Sequence, residues 1–224
     1  MKRAFIDSRP YLLLSLLFGI SYFFLFVLSE PEVPDPLKML WKGAGVGFLA
    51  VYALHRIRGF DGRLIATVMA FGALGDILIE LDLILGAFSF LVGHCFAITL
   101  YLRHRRPKPA FSQMMFAILL VPVSVFVAWS LPFDRSAAPG FAIYTAFLAV
   151  MAAAAWLSDF PRYRVGVGAL FFIISDLFIF SSVGFLQDSA IPVWTIWPFY
   201  YFGQFLIATG VVRSLRDRLD VVNP

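Results

Sequence analysis

Ionisable side chains lie inside stretches of this sequence that are otherwise apolar enough to cross a membrane. Asp76, Glu80 and His94 fall within residues 71–101, and Asp176 lies in a second apolar stretch. A charged group at the centre of a bilayer costs about 2.5–3.5 kcal/mol on insertion scales, so a chain that keeps one there generally uses it. Two aspartates at similar depth are a candidate acid–base couple, with one carboxyl group protonated and the other ionised.

Polar side chains on several other segments are predicted to reach the same depth. An α-helix rises about 1.5 Å per residue, which places Asp76, Asp176 and His94 near the middle of the membrane. Asp76 and Glu80 are four residues apart, so we expect them to share one helix face. Convergence of polar groups from separate helices is what indicates a site. The candidate substrate-binding residues are Lys42, Glu80, His94, Tyr200, Tyr201 and Gln204.

The ionisable candidates also have purely structural explanations, which the sequence leaves open. Lys42 can reach the membrane interface, and Glu80 can reach the water on the outer side. Asp76 can form a buried ion pair with Lys42, and Asp176 can be held by hydrogen bonds between helices. His94 can be a hydrogen-bonded histidine of the protein core. Ser175 precedes Asp176, but a serine beside a carboxylate is not a catalytic triad and no G-x-S-x-G motif is present.

The composition identifies the class of protein. Hydrophobic residues make up 61% of the 224 residues and charged residues only 14%, with a mean hydropathy of +0.85. A soluble domain has about 25% charged residues. We therefore predict an all-α, polytopic membrane protein with a single transmembrane domain over residues 1–224. Runs such as residues 12–28 do not alternate as the strands of a membrane barrel do.

Eight membrane-spanning helices forming a bundle are predicted. Basic residues, such as Arg56, Arg106 and Arg162, concentrate in the loops on the N-terminal side, whereas the opposite loops carry acidic residues such as Glu30 and Asp134. This asymmetry predicts that both termini are cytoplasmic, and we expect a bacterial inner membrane as the location. The predicted spans are residues 11–29, 37–54, 64–82, 83–102, 112–131, 139–158, 163–185 and 191–213.

The sequence gives little support to metal, redox or nucleic-acid chemistry. The single cysteine, Cys95, excludes an intrachain disulfide, and His55, His94 and His104 form no zinc motif. The net charge of +4 arises from loop residues and is an orientation signal rather than a nucleic-acid footprint. We expect no metal, no cofactor and no nucleic-acid partner.

Five pieces of sequence occur in an order and spacing that resemble those of a known family. They are WKGAGVGFLAVYAL (41–54), GALGDILIELD (72–82), GAFSFLVGH (86–94), GALFFIISD (168–176) and YYFGQFLI (200–207). Together they are similar to the YhhN family of integral-membrane lysoplasmalogenases. The resemblance covers most of the chain.

The resemblance implies a function as well as a fold. Asp76 and Asp176 would be the catalytic pair, and Lys42, His94, Gln204 and Tyr200 or Tyr201 would line the pocket. The implied substrates are water and a lysoplasmalogen, a lysophospholipid taken from the surrounding membrane lipid. Its sn-1 vinyl ether bond would be cleaved to a fatty aldehyde and a glycerophospho-headgroup without a cofactor.

Several points stay open at the level of sequence. The family often has a tyrosine three residues after the histidine, where this chain has Ala97; Tyr101, one turn further on, is a candidate to compensate. The sequence does not distinguish the acid from the base among the aspartates, nor the lipid headgroup, nor a monomer from a homo-oligomer. The alternative function is proton-coupled transport of a small molecule or lipid, which also uses intramembrane carboxylates.

Overall fold

The protein is built from α-helices. The computed structural model describes residues 9–28 and 35–222. Within these ranges 83% of the residues are helical and no strand forms, which confirms the predicted all-α class. The helices of the described ranges, numbered α1 to α8 in chain order, are Arg9–Tyr22, Asp35–Arg56, Phe60–Leu78, Leu83–Arg103, Phe111–Ser130, Ala138–Leu157, Val167–Ser182 and Ile191–Val222.

Many of these helices are long and apolar enough to cross a membrane. Six qualify within the described residues: α2, α4, α5, α6, and α1 and α7 together with their adjoining π-helical turns. Helix α3 carries three charged residues, Asp61, Arg63 and Asp76, and α8 carries polar groups such as Gln204. The structure thus supports an integral membrane protein, while eight crossings and cytoplasmic termini stay predictions. Part of the topology evidence, including Glu30, lies outside the described residues.

Contacts between residues divide the chain into two compact units. The first unit consists of Met1–Ala97 together with Ala208–Pro224, and the second consists of Ile98–Ile207. In the first unit, α2 packs against both α1 and α3. In the second unit, α5, α6 and α7 pack against one another. The single transmembrane domain stays a prediction.

The connection between α3 and α4 differs from the expected one. We predicted a helix over residues 64–82, but α3 ends at Leu78 and Glu80 lies in the turn that follows. Asp82 accepts a hydrogen bond from the backbone N–H of Leu85 at 2.9 Å, which favours starting a new helix there. Gly86 permits the tight turn, because a Cβ on it would lie 2.6 Å from the Cβ of Ile79. Asp76 and Glu80 therefore do not share a continuous helix face.

Two glycines allow the backbones of α7 and α8 to touch. A Cβ on Gly168 would lie 2.7 Å from the carbonyl oxygen of Gly203, and a Cβ on Gly203 would lie 2.8 Å from that of Gly168. Small residues at such crossings are typical of membrane helices that associate closely. Helix α7 carries Asp176 and α8 carries Gln204, so this crossing sets the spacing of predicted site residues within the second unit.

We predict that Gly203→Ala destabilises the protein by about 1–3 kcal/mol, because the added methyl group forces the helices apart. The matched control is Gly140→Ala in α6, where an added Cβ meets no atom within 4 Å. Gly140→Ala is expected to be neutral or to stabilise by up to about 1 kcal/mol through helix propensity. Thermal unfolding of both variants in detergent measures the difference, and equal midpoints would contradict the role given to Gly203.

Candidate functional site

The carboxylate of Glu80 is the centre of a charged cluster in the first unit. The ammonium nitrogen of Lys42 lies 2.6 Å from Oε1, and that of Lys38 lies 3.3 Å from Oε2. The hydroxyl of Tyr22 also donates a hydrogen bond to Glu80. The side chains of Lys42 and Glu80 are 15% and 23% exposed. Two cations share one carboxylate, so the Lys38–Glu80–Lys42 cluster carries a net positive charge and suits an anionic ligand.

Only part of this cluster was predicted from the sequence. Lys42 and Glu80 were predicted to bind substrate, whereas Lys38 and Tyr22 were missed. Lys38 lies one helical turn before Lys42, and that spacing was a usable signal because residues four apart share a face. Tyr22 had no such signal, because only the packing of α1 against α2 brings its hydroxyl to Glu80.

Asp76 is buried in α3, two residues before the helix ends. Its side chain is 2% exposed, and it lies close enough to Tyr22 to interact electrostatically with the hydroxyl. Tyr22 therefore interacts both with Asp76, the predicted catalytic aspartate, and with Glu80 of the Lys38–Glu80–Lys42 cluster. His94 is also 2% exposed, on α4. Helix α4 is joined to α3 by a hydrogen bond of 2.8 Å from Ser89 to the carbonyl oxygen of Phe71.

Asp176 is buried in the second unit and accepts a short hydrogen bond. Its side chain is 5% exposed, and the hydroxyl of Tyr144 on α6 donates to its Oδ2 at 2.7 Å. Tyr144 was missed, because only the packing of α6 against α7 makes it a partner of Asp176. Ser175 donates to the carbonyl oxygen of Ile196 at 2.9 Å, which joins α7 to α8. Ser175 is thus a helix–helix contact, as expected for a serine that is not a nucleophile.

The predicted binding residues of α8 are buried among aromatic rings. Tyr200, Tyr201 and Gln204 are 5%, 1% and 2% exposed. The ring of Tyr201 stacks on Trp197 with centroids 5.8 Å apart and an interplanar angle of 12°. The amide oxygen of Gln204 has no hydrogen-bond partner among the described residues. A buried acceptor without a donor costs about 1–3 kcal/mol, so this oxygen suits a ligand that brings a hydroxyl group.

The predicted site residues divide between the two units. Lys42, Asp76, Glu80 and His94 belong to the first unit. The others, Asp176, Tyr200, Tyr201 and Gln204, belong to the second. Their convergence into one pocket stays a prediction.

The position that departs from the family pattern is also buried. Ala97 is 2% exposed and Tyr101 is 1% exposed. The hydroxyl of Tyr101 finds no hydrogen-bond partner in the described part of the chain. Within the same part, no group of three or more histidine, cysteine or acidic residues is arranged to hold a metal ion.

Comparison with known proteins identifies the family of this sequence. The model of the YhhN family matches residues 37–211, a stretch that contains every predicted site residue. No curated protein and no solved structure matches the chain. The YhhN family is associated with hydrolase activity in general. Because the match extends over well more than half of the chain, the protein belongs to the YhhN family.

Proposed function

We propose that the protein is a membrane-embedded hydrolase of the lysoplasmalogenase type, acting in the inner membrane of a bacterium. Asp76 and Asp176 are its acid–base couple, and the sn-1 vinyl ether of a lysoplasmalogen is its substrate. The observation that carries the proposal is the burial of both carboxyl groups, 2% and 5% exposed, within apolar helices of a YhhN-family chain. Such groups are costly in a membrane and are generally functional.

The chemistry of a vinyl ether matches what carboxyl groups can supply. A neutral carboxylic acid gives a proton to the vinyl carbon remote from oxygen, which leaves an oxocarbenium ion. A carboxylate stabilises this cation and takes a proton from the water that adds to it. The resulting hemiacetal collapses by breaking the bond to the glycerol oxygen, which releases a fatty aldehyde and a free glycerol hydroxyl. One water is consumed, and the proton returns to the couple.

Tyr144 is a positioning residue for this chemistry. Its hydroxyl holds one oxygen of Asp176 at 2.7 Å, so the other oxygen is presented in a fixed direction. A hydrogen bond to an ionised group contributes about 1.5–3 kcal/mol, enough to fix the carboxyl rotamer. This hydrogen bond does not identify which of the two aspartates acts as the acid.

The Lys38–Glu80–Lys42 cluster is proposed to bind the phosphate of the headgroup. Glu80 pairs with both lysines when no ligand is bound. The net positive charge of the cluster favours binding of a phosphate to the lysines. Lys38 is the partner more readily released, because its contact is longer, 3.3 Å, and its side chain is 36% exposed. Lys42 is held at 2.6 Å and stays closer to the buried end of the cluster.

The buried polar groups of α8 are proposed to bind the glycerol part of the lipid. A lysolipid differs from a diradyl lipid by its free sn-2 hydroxyl, which is a hydrogen-bond donor. The amide oxygen of Gln204 needs a donor, so it suits this hydroxyl. Tyr200 and Tyr201 line the same segment, and His94 is the further polar group assigned to the substrate.

Transport is the competing function. A proton-coupled transporter commonly has helices that are broken beside its charged residues. Asp76 and Asp176 each lie inside a continuous helix, although α3 ends at Leu78, two residues after Asp76. Within the described residues, neither of the two aspartates lies at a break inside its helix, which favours hydrolysis over transport.

We predict that Asp76→Asn and Asp176→Asn each lower turnover by at least about 100-fold, because neither amide can supply or take the proton. The assay follows fatty aldehyde released from lysoplasmenylethanolamine by purified protein in detergent, with no metal added. Asp188→Asn, at an exposed loop aspartate, is the matched control and should keep full activity. Aldehyde formation retained by both buried-site variants would refute the couple, and well-folded wild type that releases none would refute this substrate.

Lys42→Met is expected to raise KM about tenfold with little change in kcat, because a charge-assisted contact to the headgroup phosphate is lost. Lys38→Met should raise KM less, about two- to threefold, since its side chain is more exposed. Lys108→Met, at an exposed loop lysine, is the control for loss of one positive charge. If Lys42→Met and Lys38→Met had the same KM as Lys108→Met, the result would argue against headgroup binding by the cluster.

Tyr144→Phe is expected to lower kcat about tenfold while KM stays within twofold, because the ring keeps its packing and Asp176 loses its donor. The control is Tyr163→Phe, whose side chain is 82% exposed. Steady-state kinetics on the same aldehyde assay separate the two constants. A rise in KM with unchanged kcat would show that Tyr144 binds substrate instead of positioning Asp176.

A further inference from the structure

An arginine and a tryptophan meet where α6 ends and α7 begins, in the second unit. The guanidinium of Arg162 lies over the ring of Trp156, with Cζ 5.5 Å from the centroid. Arg162 opens a π-helical turn, Arg162–Gly166, that leads into α7. Gly166 lets the indole lie against this turn, because a Cβ there would come within 2.8 Å of Cε3 of Trp156. Such turns are frequent at functional sites.

Both side chains bury a nitrogen donor without an acceptor. Within the residues that the structure describes, neither Nε of Arg162 nor Nε1 of Trp156 has a hydrogen-bond partner. A buried donor left unpaired costs about 1–3 kcal/mol, and more when it is charged. Arginine and tryptophan side chains donate hydrogen bonds but do not accept them, so the partner that these two nitrogens lack is a hydrogen-bond acceptor. An anionic oxygen is the best acceptor for a guanidinium.

A second arginine–tryptophan pair in the chain serves as a comparison. Arg135 lies over Trp129 at 5.4 Å, nearly the distance found for Arg162 and Trp156. Yet Nη1 of Arg135 donates to the carbonyl oxygen of Trp129 at 2.7 Å, an acceptor supplied by the chain itself. The pair of Arg162 and Trp156 lacks such an acceptor at the two buried nitrogens. The two unpaired nitrogens of Arg162 and Trp156 therefore suit an acceptor that comes from outside the chain.

The surroundings of this pair are basic. The loop after α4 pairs with the end of α6 through a bond of 3.1 Å from the N–H of Arg106 to the carbonyl oxygen of Leu157. A second bond of 2.8 Å runs from the N–H of Asp159 to the carbonyl oxygen of His104. This pairing brings the basic segment 103–108 to the segment that holds Arg162, with Asp159 as the acidic residue between them. Several cations at one place attract anionic headgroups.

An apolar helix face adjoins the same tryptophan. The ring of Phe116 on α5 lies 4.6 Å from that of Trp156. Phe116 and the side chains three and seven residues further along α5 form an exposed apolar stripe, with Phe116 37%, Leu119 53% and Val123 57% exposed. A free inorganic anion would make no favourable contact with this stripe, whereas the acyl chains of a lipid would pack on it. A ligand with an anionic head and apolar chains fits both features.

We propose that Arg162 and Trp156 bind a phosphate oxygen of an anionic membrane phospholipid, whose acyl chains lie along the exposed face of α5. The two buried N–H groups hold the oxygen, and the nearby arginines add attraction without direct contact. The lipid is a bound component of the protein and not its substrate, so the proposal stands independently of the hydrolase function.

The test is lipid binding to the full-length protein in detergent, measured by native mass spectrometry with phosphatidylglycerol and with phosphatidylcholine. Wild type should retain phosphatidylglycerol in preference to phosphatidylcholine. Arg162→Gln should weaken phosphatidylglycerol binding about tenfold, because a charge-assisted contact is lost. Trp156→Phe should weaken it about fivefold, because the aromatic ring is kept and only the N–H is removed.

Two controls separate this site from general attraction. Arg164→Gln removes one exposed charge from the same turn, and Arg135→Gln disturbs the arginine–tryptophan pair that has its own acceptors. Both should stay within twofold of wild type. The proposal would be overturned if Trp156→Phe bound phosphatidylglycerol as tightly as wild type. It would also be overturned if Arg164→Gln weakened phosphatidylglycerol binding as much as Arg162→Gln.

A competition arm distinguishes the source of the phosphate. Inorganic phosphate at millimolar concentration should leave phosphatidylglycerol bound, and displacement would overturn the lipid assignment in favour of a free anion. Thermal midpoints of all variants accompany the binding data. If Arg162→Gln fails to fold, Trp156→Phe alone decides the outcome.

Discussion

The cost of burying a polar group in apolar surroundings is the constraint on which this structure depends. Lipid offers no hydrogen bonds, so each buried polar group must find its partner within the protein or in a ligand. Glu80 is matched by two lysines, Asp176 by Tyr144, and Ser175 by a carbonyl oxygen of the neighbouring helix. The contacts of Asp176 and Ser175 each join two helices, and those of Glu80 join α2 to the turn after α3. The polar groups that suggest function therefore also help to determine how the helices pack.

Close packing of small residues makes these matches reachable. Between α2 and α3, a Cβ on Gly43 would lie 2.7 Å from a side-chain carbon of Ile77 and 3.0 Å from the carbonyl oxygen of Ala73, so glycine favours this close approach. Lys42 neighbours Gly43, and the same approach brings its ammonium to Glu80. The glycines that bring α7 and α8 together act similarly near Gln204. Small residues thus set the distances, and the polar contacts then fix which faces meet.

The helices were largely predictable from the sequence, because an apolar stretch of about 20 residues has few alternatives in a membrane protein. The end of α3 was not, because it depends on Asp82 capping the next helix and on the turn at Gly86. Asp76 and Asp176 stood out as isolated charges. Tyr22 and Tyr144 did not, because a tyrosine becomes a partner of a carboxylate only when two helices distant in sequence pack together.

Buried polar atoms without a hydrogen-bond partner indicate which ligand chemistry suits each place in the structure. In the second unit, the amide oxygen of Gln204 lacks a donor, whereas Nε of Arg162 and Nε1 of Trp156 lack an acceptor, within the residues described. Gln204 therefore suits a molecule that offers a hydroxyl, and Arg162 with Trp156 suits an anionic oxygen. A single group does not meet both needs, because an ionised phosphate oxygen has no proton to donate. The opposite polarity of these groups is the physical reason for assigning one to a lysolipid hydroxyl and the other to a separate, bound phospholipid.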